Sequence, residues 1–223
     1  MQKMLFLIGL ITVNTLMASP SYAKEPKNLD LVKTSLIKYH DSGEYQKDQA
    51  KVIDQAMQYL KTRLAREKHA KSPKKLALVL GIDETSLSNY PDLINMRFGG
   101  TQEQIDDAKE KGTDPAIEST LKLYRYAKAN NVAVFFITAR TEPNRAATEK
   151  NLADAGYKNW DGLSLNSETY AEKSKVPYKV NARTLIEQQG YDIVLNIGDQ
   201  QSDLSGGHAD KTFKLPNPYY ITS

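Results

Sequence analysis

Two kinds of hydrophobic pattern divide the chain. From Leu29 to about Lys71 the apolar positions Leu31, Leu36 and Ile37, then Val52, Ile53, Ala56, Met57, Leu60 and Leu64, recur at steps of three and four, the period of an amphipathic helix. The polar stretch "HDSGEY" interrupts this run near Gly43, so the pattern predicts two helices. After "KSPKK" at 71–75 the period disappears. "LALVLGI", "VAVFFIT", "GLSL" and "IVLNIG" are short, unbroken apolar runs, the form of parallel strands buried on both faces. Longer amphipathic segments at 114–130, 143–155 and 168–189 separate them. Strands alternating with helices predict an α/β domain with a Rossmann-like parallel sheet and right-handed crossovers, preceded by an N-terminal helical segment over 24–75.

The N-terminus changes which residues belong to that domain. Lys3, the apolar "MLFLIGLITV" and the small-x-small "SYA" have the layout of a signal peptide ending at Ala23. The other reading is an uncleaved anchor, but Asn14, Thr15 and Ser19 interrupt the apolar stretch before it reaches a membrane-spanning length. The expectation is an exported protein with no membrane association once the peptide is removed. The sequence contains no cysteine, which excludes disulfides, thiol catalysis and cysteine-held metals. The 30 Lys and Arg against 27 Asp and Glu are interspersed, so no basic face for a nucleic-acid polymer stands out.

Chemistry gathers where three of the apolar runs end, at "GIDET", "ITAR" and "IGDQQSD". In open parallel sheets ligands bind outside the carboxyl ends of the strands. Asp199 and Asp203 are oxygen ligands of the kind a hard divalent cation such as Mg2+ prefers, or else an N-cap and a solvated side chain. Thr138 is either a phosphate-binding hydroxyl or a helix cap. Arg140 is a candidate for a substrate oxyanion, with an exposed surface charge as the plainer reading. Lys179, early in the helix of "PYKVNAR", can neutralise phosphoryl charge or simply be solvated. Tyr90 can stack on an aromatic leaving group or pack locally. His40, His69 and His208 have no spacing suited to a metal triad.

Taken in order, "IDETSLSNYP", "FFITAR", "YKVNAR", "GYDIVLNIGDQQSDLSGG" and "FKLPNPYY" resemble the haloacid dehalogenase superfamily. More narrowly they resemble its acid phosphatase branch, which includes the bacterial class B and class C enzymes and the plant vegetative storage proteins. The resemblance runs from about Leu76 to Tyr220, and the "YHDSGEY" lead-in also fits. It implies a phosphatase-fold core over 76–223 with a small cap inserted at about 86–131. It also implies Mg2+-dependent hydrolysis of small phosphomonoesters, nucleotides among them, through an aspartyl-phosphate. On the matching positions, Asp83 is the general acid and base and its carbonyl a metal ligand. Thr138 and Lys179 stabilise the phosphoryl group, Asp199 is the direct metal ligand and Asp203 its supporting carboxylate.

One position departs from this pattern. The nucleophilic Asp of the family stands two residues before Asp83, and here that residue is Gly81. Glycine supplies neither a nucleophile nor a metal ligand, so the sequence predicts severely impaired turnover. Three readings stay open: a phosphate-binding or storage protein without turnover, an inactivated variant of an active enzyme, and slow water-mediated hydrolysis with Asp83 as base.

Overall fold

The computed structural model describes residues 25–167 and 174–222. The expected signal peptide and the first residues of the helix expected at 168–189 lie outside the described residues. Leu29–Asp41 forms α1 and Glu44–Glu67 forms α2, with Gly43 between them at φ 79°, a left-handed turn that suits glycine. Asn28 caps α1 by accepting the N–H groups of Asp30 and Leu31. On α2, Tyr45, Gln49, Ile53, Met57 and Leu60 are buried at near-helical spacing, so a single stripe of this helix meets the core.

The sheet has five parallel strands: β1 Lys75–Leu80, β2 Ala133–Thr141, β3 Gly162–Asn166, β4 Tyr191–Gly198 and β5 Lys211–Lys214, in the order β3-β2-β1-β4-β5. Unbroken apolar runs follow from burial on both faces. Leu76, Leu78 and Leu80 join Phe136, Val194 and Ile197 in one cluster with α2, while Ala77 and Val79 join Phe135, Ile137 and Ile193 in another. Glu118–Ala129 (α5) and Arg145–Asp154 (α6) contribute to the first cluster through Leu121, Leu123 and Leu152. Val176–Gln188 (α7) contributes Tyr178, Ala182 and Ile186 to the second.

The sequence pattern shows four of the five strands. In β5 only Phe213 is buried, so this edge strand carries no apolar run that could reveal it. The stretch at 86–131 divides in two. Tyr90–Asn95 (α3) and Gln102–Lys111 (α4), with their loops, cover the carboxyl ends of the strands, whereas α5 packs on α2 and β2 as the β1–β2 crossover. The chain leaves β1 toward β2 and β3 on one side and returns to β4 on the other, so the strand order reverses between β1 and β4. The short helix Gln201–Leu204 (α8) follows β4 directly at this switch point.

Candidate active site

A cavity of about 480 Å3 opens at that switch point. Its floor is polar: Gly81 and Asp83 after β1, Thr138 and Arg140 on β2, Lys179 on α7, and Asp199 and Asp203 after β4. Its walls are largely apolar, with Leu93, Met96 and Phe98 from the cover and Tyr219 and Tyr220 from the C-terminal tail. The structure thus brings together every floor residue singled out from the sequence.

The loop after β1 turns tightly because the carbonyl of Ile82 accepts the N–H groups of Thr85, Ser86 and Leu87. The turn places Glu84 at φ 48°, a conformation that costs a non-glycine residue about 1–2 kcal/mol. Two strong acceptor contacts hold it there: the Glu84 carboxyl receives the Tyr45 hydroxyl at 2.6 Å and the Asn89 N–H at 2.7 Å. Burial raises the Glu84 pKa to about 8, against these two hydrogen bonds, which lower it. The side chain is fully buried toward α2 and does not line the cavity, so it cannot stand in for a carboxylate at residue 81.

Asp83 points the other way. Arg140 donates to its carboxylate through Nη2 at 2.8 Å and Nε at 3.1 Å, and Asn89 adds Nδ2 at 2.9 Å. Burial works to raise the Asp83 pKa, but the charge and hydrogen bonds of Arg140, with Asn89, outweigh it and hold the group at about 2. Arg140 is not the surface charge that its type suggests. It is buried, 2% exposed, and its Nη2 also donates to Asp114 at 3.0 Å. Asp114 is in turn fixed by Asn151 of α6, which bonds both its N–H and its carbonyl. The hydroxyl of Thr138 accepts the Arg140 N–H at 3.1 Å.

The β4 side is more heavily bonded. Asp199 accepts the Thr85 hydroxyl at 3.0 Å, the Gln200 amide at 2.6 Å and the Asn217 amide at 2.7 Å. Burial, followed by the charge of Asp203, still raises its pKa to about 6. Lys179 reaches Asp203 at 2.6 Å, and the N–H of Gln200 donates to the other Asp203 oxygen at 2.8 Å. A Cβ on Gly198 would come within 2.2 Å of that of Asp203, so glycine is what lets α8 fold back over the strand end.

Among the described residues no three acidic or histidine side chains gather as a metal cluster. The donor chemistry nevertheless suits a hard cation. Asp199 is a buried carboxylate on the cavity floor whose hydrogen-bond donors, Thr85, Gln200 and Asn217, are all neutral, and Mg2+ binds through one or two carboxylates with waters and substrate phosphate completing its shell. Asp199 and the carbonyl of Asp83 are the residues that would hold it.

Tyr90 is buried and stacks on His40 with ring centroids 3.3 Å apart, and its hydroxyl donates to Asp41 at 2.9 Å. It does not line the cavity, and its contacts are those of local packing. Sequence reasoning assigned no role to Asn89, Asp114, Gln200 or Asn217. Gln200 and Asn217 lie within the phrases "GDQQSD" and "LPNPYY", but nothing in an amide side chain announces which carboxylate it will hold.

The sequence model of the HAD superfamily, subfamily IIIB (acid phosphatase), matches residues 3–223. The chain belongs to that family. Acid phosphatase 1 of Solanum lycopersicum is 40% identical over 150 residues, which are 64% of this chain and 58% of the tomato protein. The Glycine max stem 28 kDa glycoprotein is 38% identical over 186 residues, 80% of this chain and 71% of its own. Vegetative storage protein 1 of Arabidopsis thaliana is 32% identical over 151 residues, 65% of this chain and 55% of the relative. The matched part of this chain thus spans between about half and three quarters of these plant relatives. The class C acid phosphatase of Bacillus anthracis has the same fold, with a TM-score of 0.72, 24% identity and 86% of both chains covered. Among the described residues no helix is long and apolar enough to cross a membrane.

Proposed function

We propose that this chain is an exported acid-phosphatase-fold protein that binds small phosphomonoesters and turns them over slowly, because Gly81 occupies the nucleophile's position. The observation that carries this reading is the contrast inside one cavity. Thr138, Lys179, Asp83, Asp199 and Asp203 all line it, while the β1 strand end offers no carboxylate at residue 81. The tungstate-bound structure of the Bacillus anthracis class C enzyme, 25% identical with a TM-score of 0.71, supports an oxyanion site in this fold.

In this reading the phosphoryl oxygens lie against the Thr138 hydroxyl and the Lys179 ammonium, whose charge offsets theirs. Mg2+, held by Asp199 and the Asp83 carbonyl with Asp203 in support, would supply Lewis-acid stabilisation of the phosphoryl oxygens. Arg140 and Asn89 keep the Asp83 carboxylate aimed into the cavity. With its pKa near 2, Asp83 is ionised throughout the acid and neutral range and acts first as a proton acceptor from attacking water. Esters with good leaving groups, which need no acid, are therefore the substrates that residual turnover favours. The apolar walls suit flat leaving groups, including aryl and nucleoside moieties.

A second reading is a binding or storage protein without turnover, favoured by Gly81 together with the likeness to Arabidopsis thaliana vegetative storage protein 1. Hydrolysis of p-nitrophenyl phosphate with Mg2+, compared between this chain and Gly81→Asp, separates the two. The impaired-enzyme reading expects near-background turnover in the chain and a rise of several powers of ten in the variant, on the order of the million-fold effect of a lost serine-protease nucleophile. The new Cβ would stand 3.0 Å from the Thr85 hydroxyl oxygen, and residue 81 is not among those with positive φ, so a small side-chain shift accommodates it. A folded, phosphate-binding Gly81→Asp protein with no gain would favour the storage reading.

A further inference from the structure

Beyond Lys214 none of the described residues lies in a helix or strand, yet the tail supplies Tyr219 and Tyr220 to the cavity wall. Among the described residues, every backbone hydrogen bond found from Pro216 to Thr222 goes to one of two amide side chains. Asn217 Oδ1 accepts the N–H of Tyr219 at 2.9 Å and of Tyr220 at 3.4 Å. Gln200 Oε1 accepts the N–H of Thr222 at 2.9 Å, and its Nε2 donates to the Tyr220 carbonyl at 3.4 Å. The donor ends of both amides meet on a single atom, Asp199 Oδ2, at 2.6 Å from Gln200 and 2.7 Å from Asn217.

We infer that Gln200 and Asn217 are positioning residues that clamp the C-terminal tail to Asp199, and so determine specificity for the leaving group. The inference rests on the reading of the cavity given above, in which the floor takes the phosphoryl group and the walls take what it is attached to. Each amide has one polar end on the carboxylate and the other on the tail, so neither can move alone without breaking a hydrogen bond that is buried for Gln200 and half-buried for Asn217. Gln200 is also only 7% exposed, and its own N–H holds Asp203. The wall's position is therefore tied to the state of Asp199. A ligand resting on the wall and a cation on Asp199 must then change each other's affinity by the same factor.

The test compares two probes, inorganic phosphate, which needs only the floor, and phenylphosphonate, which needs the wall as well. Both are titrated calorimetrically, with and without Mg2+, into the unaltered chain, Gln200→Met and Asn217→Leu. The clamp predicts that each substitution lowers the phenylphosphonate-to-phosphate affinity ratio several-fold, with phosphate itself changed little. It also predicts that the Mg2+-dependent gain in phenylphosphonate affinity shrinks. Amide hydrogen exchange supplies a readout that requires no ligand. Gln200→Met should speed exchange at Tyr219, whose partner is Asn217, and Asn217→Leu should speed it at Thr222, whose partner is Gln200, by about tenfold or more. Equal losses for both probes, or exchange that rises only at the amide whose own acceptor was removed, would overturn the clamp. If neither probe binds the unaltered chain, the phosphomonoester reading fails, and the cross-exchange result still decides the clamp.

Discussion

The loops after β1 and β4 face each other across one cavity and are held differently. After β4, Asp199 and Asp203 accept hydrogen bonds from Thr85, Gln200, Asn217 and Lys179, and glycine at 198 makes room for them. After β1, the first residue is Gly81, Glu84 is turned away to Tyr45, and Asp83 is held by Arg140 and Asn89. The β4 side is held by Gln200, Asn217 and Lys179 together with Thr85 of the facing β1 loop, and by no group of residue 81. The difference teaches that the β4 carboxylates are held without residue 81, since the side-chain hydrogen bonds found on them among the described residues come from Thr85, Gln200, Asn217 and Lys179.

Catalysis is where the β1 loop can be broken most visibly. In a Gly81→Asp background, Asp83→Asn should lower turnover of p-nitrophenyl phosphate by about 100- to 10,000-fold, because the group that handles the proton is lost. A double variant as active as Gly81→Asp would show that Asp83 does not perform this role.

Stability sharpens the comparison next. The Lys179–Asp203 pair is nearly buried on both sides, with side chains 5% and 9% exposed. Lys179→Met leaves an uncompensated carboxylate and should cost about 3–5 kcal/mol in urea denaturation at neutral pH. Asp83→Asn should cost less than half of that. Its carboxylate is 22% exposed, and Arg140 keeps Asp114 as a partner. Equal costs would contradict the view that the β4 side is the more tightly built.

The smallest effect concerns pH. Glu84 has its pKa raised from 4.5 to about 8, so between those values the folded chain keeps a proton that the unfolded chain releases. Its contribution to stability is complete below pH 4.5, declines as pH rises toward 8, and then levels off. Asp114 and Asp199, each raised to about 6, act with the same sign over a narrower window. Glu84→Gln should therefore lose less Tm than the parent as the pH is raised from 5 to 8. Parallel Tm curves would mean that Glu84 ionises normally in the folded chain.

Much of this architecture is legible in the sequence because burial on two faces leaves unbroken apolar runs, and a parallel sheet then dictates where ligands bind. β5 is hidden because an edge strand with one buried residue, Phe213, needs no such run. Arg140 misleads for a different reason. An arginine is usually solvated, and only the fold reveals that Asp83 and Asp114, far apart in sequence, flank this one. The amides of Gln200 and Asn217 are illegible for the same cause, since a side chain that bridges two distant segments leaves no local period. Gly81 is the opposite case. Its reading comes only from the family resemblance, and the structure adds that Glu84, three residues on, bonds Tyr45 and does not line the cavity.

The central claim is that phosphoryl binding has outlasted the nucleophile, and the most direct measurement is a calorimetric titration of the unaltered chain with inorganic phosphate in the presence of Mg2+. The account predicts saturable binding at millimolar phosphate or below, lost in Lys179→Met variants that remain folded, while the same chain hydrolyses p-nitrophenyl phosphate near the background rate. No heat of binding at millimolar phosphate, or turnover equal to that of Gly81→Asp, would contradict it.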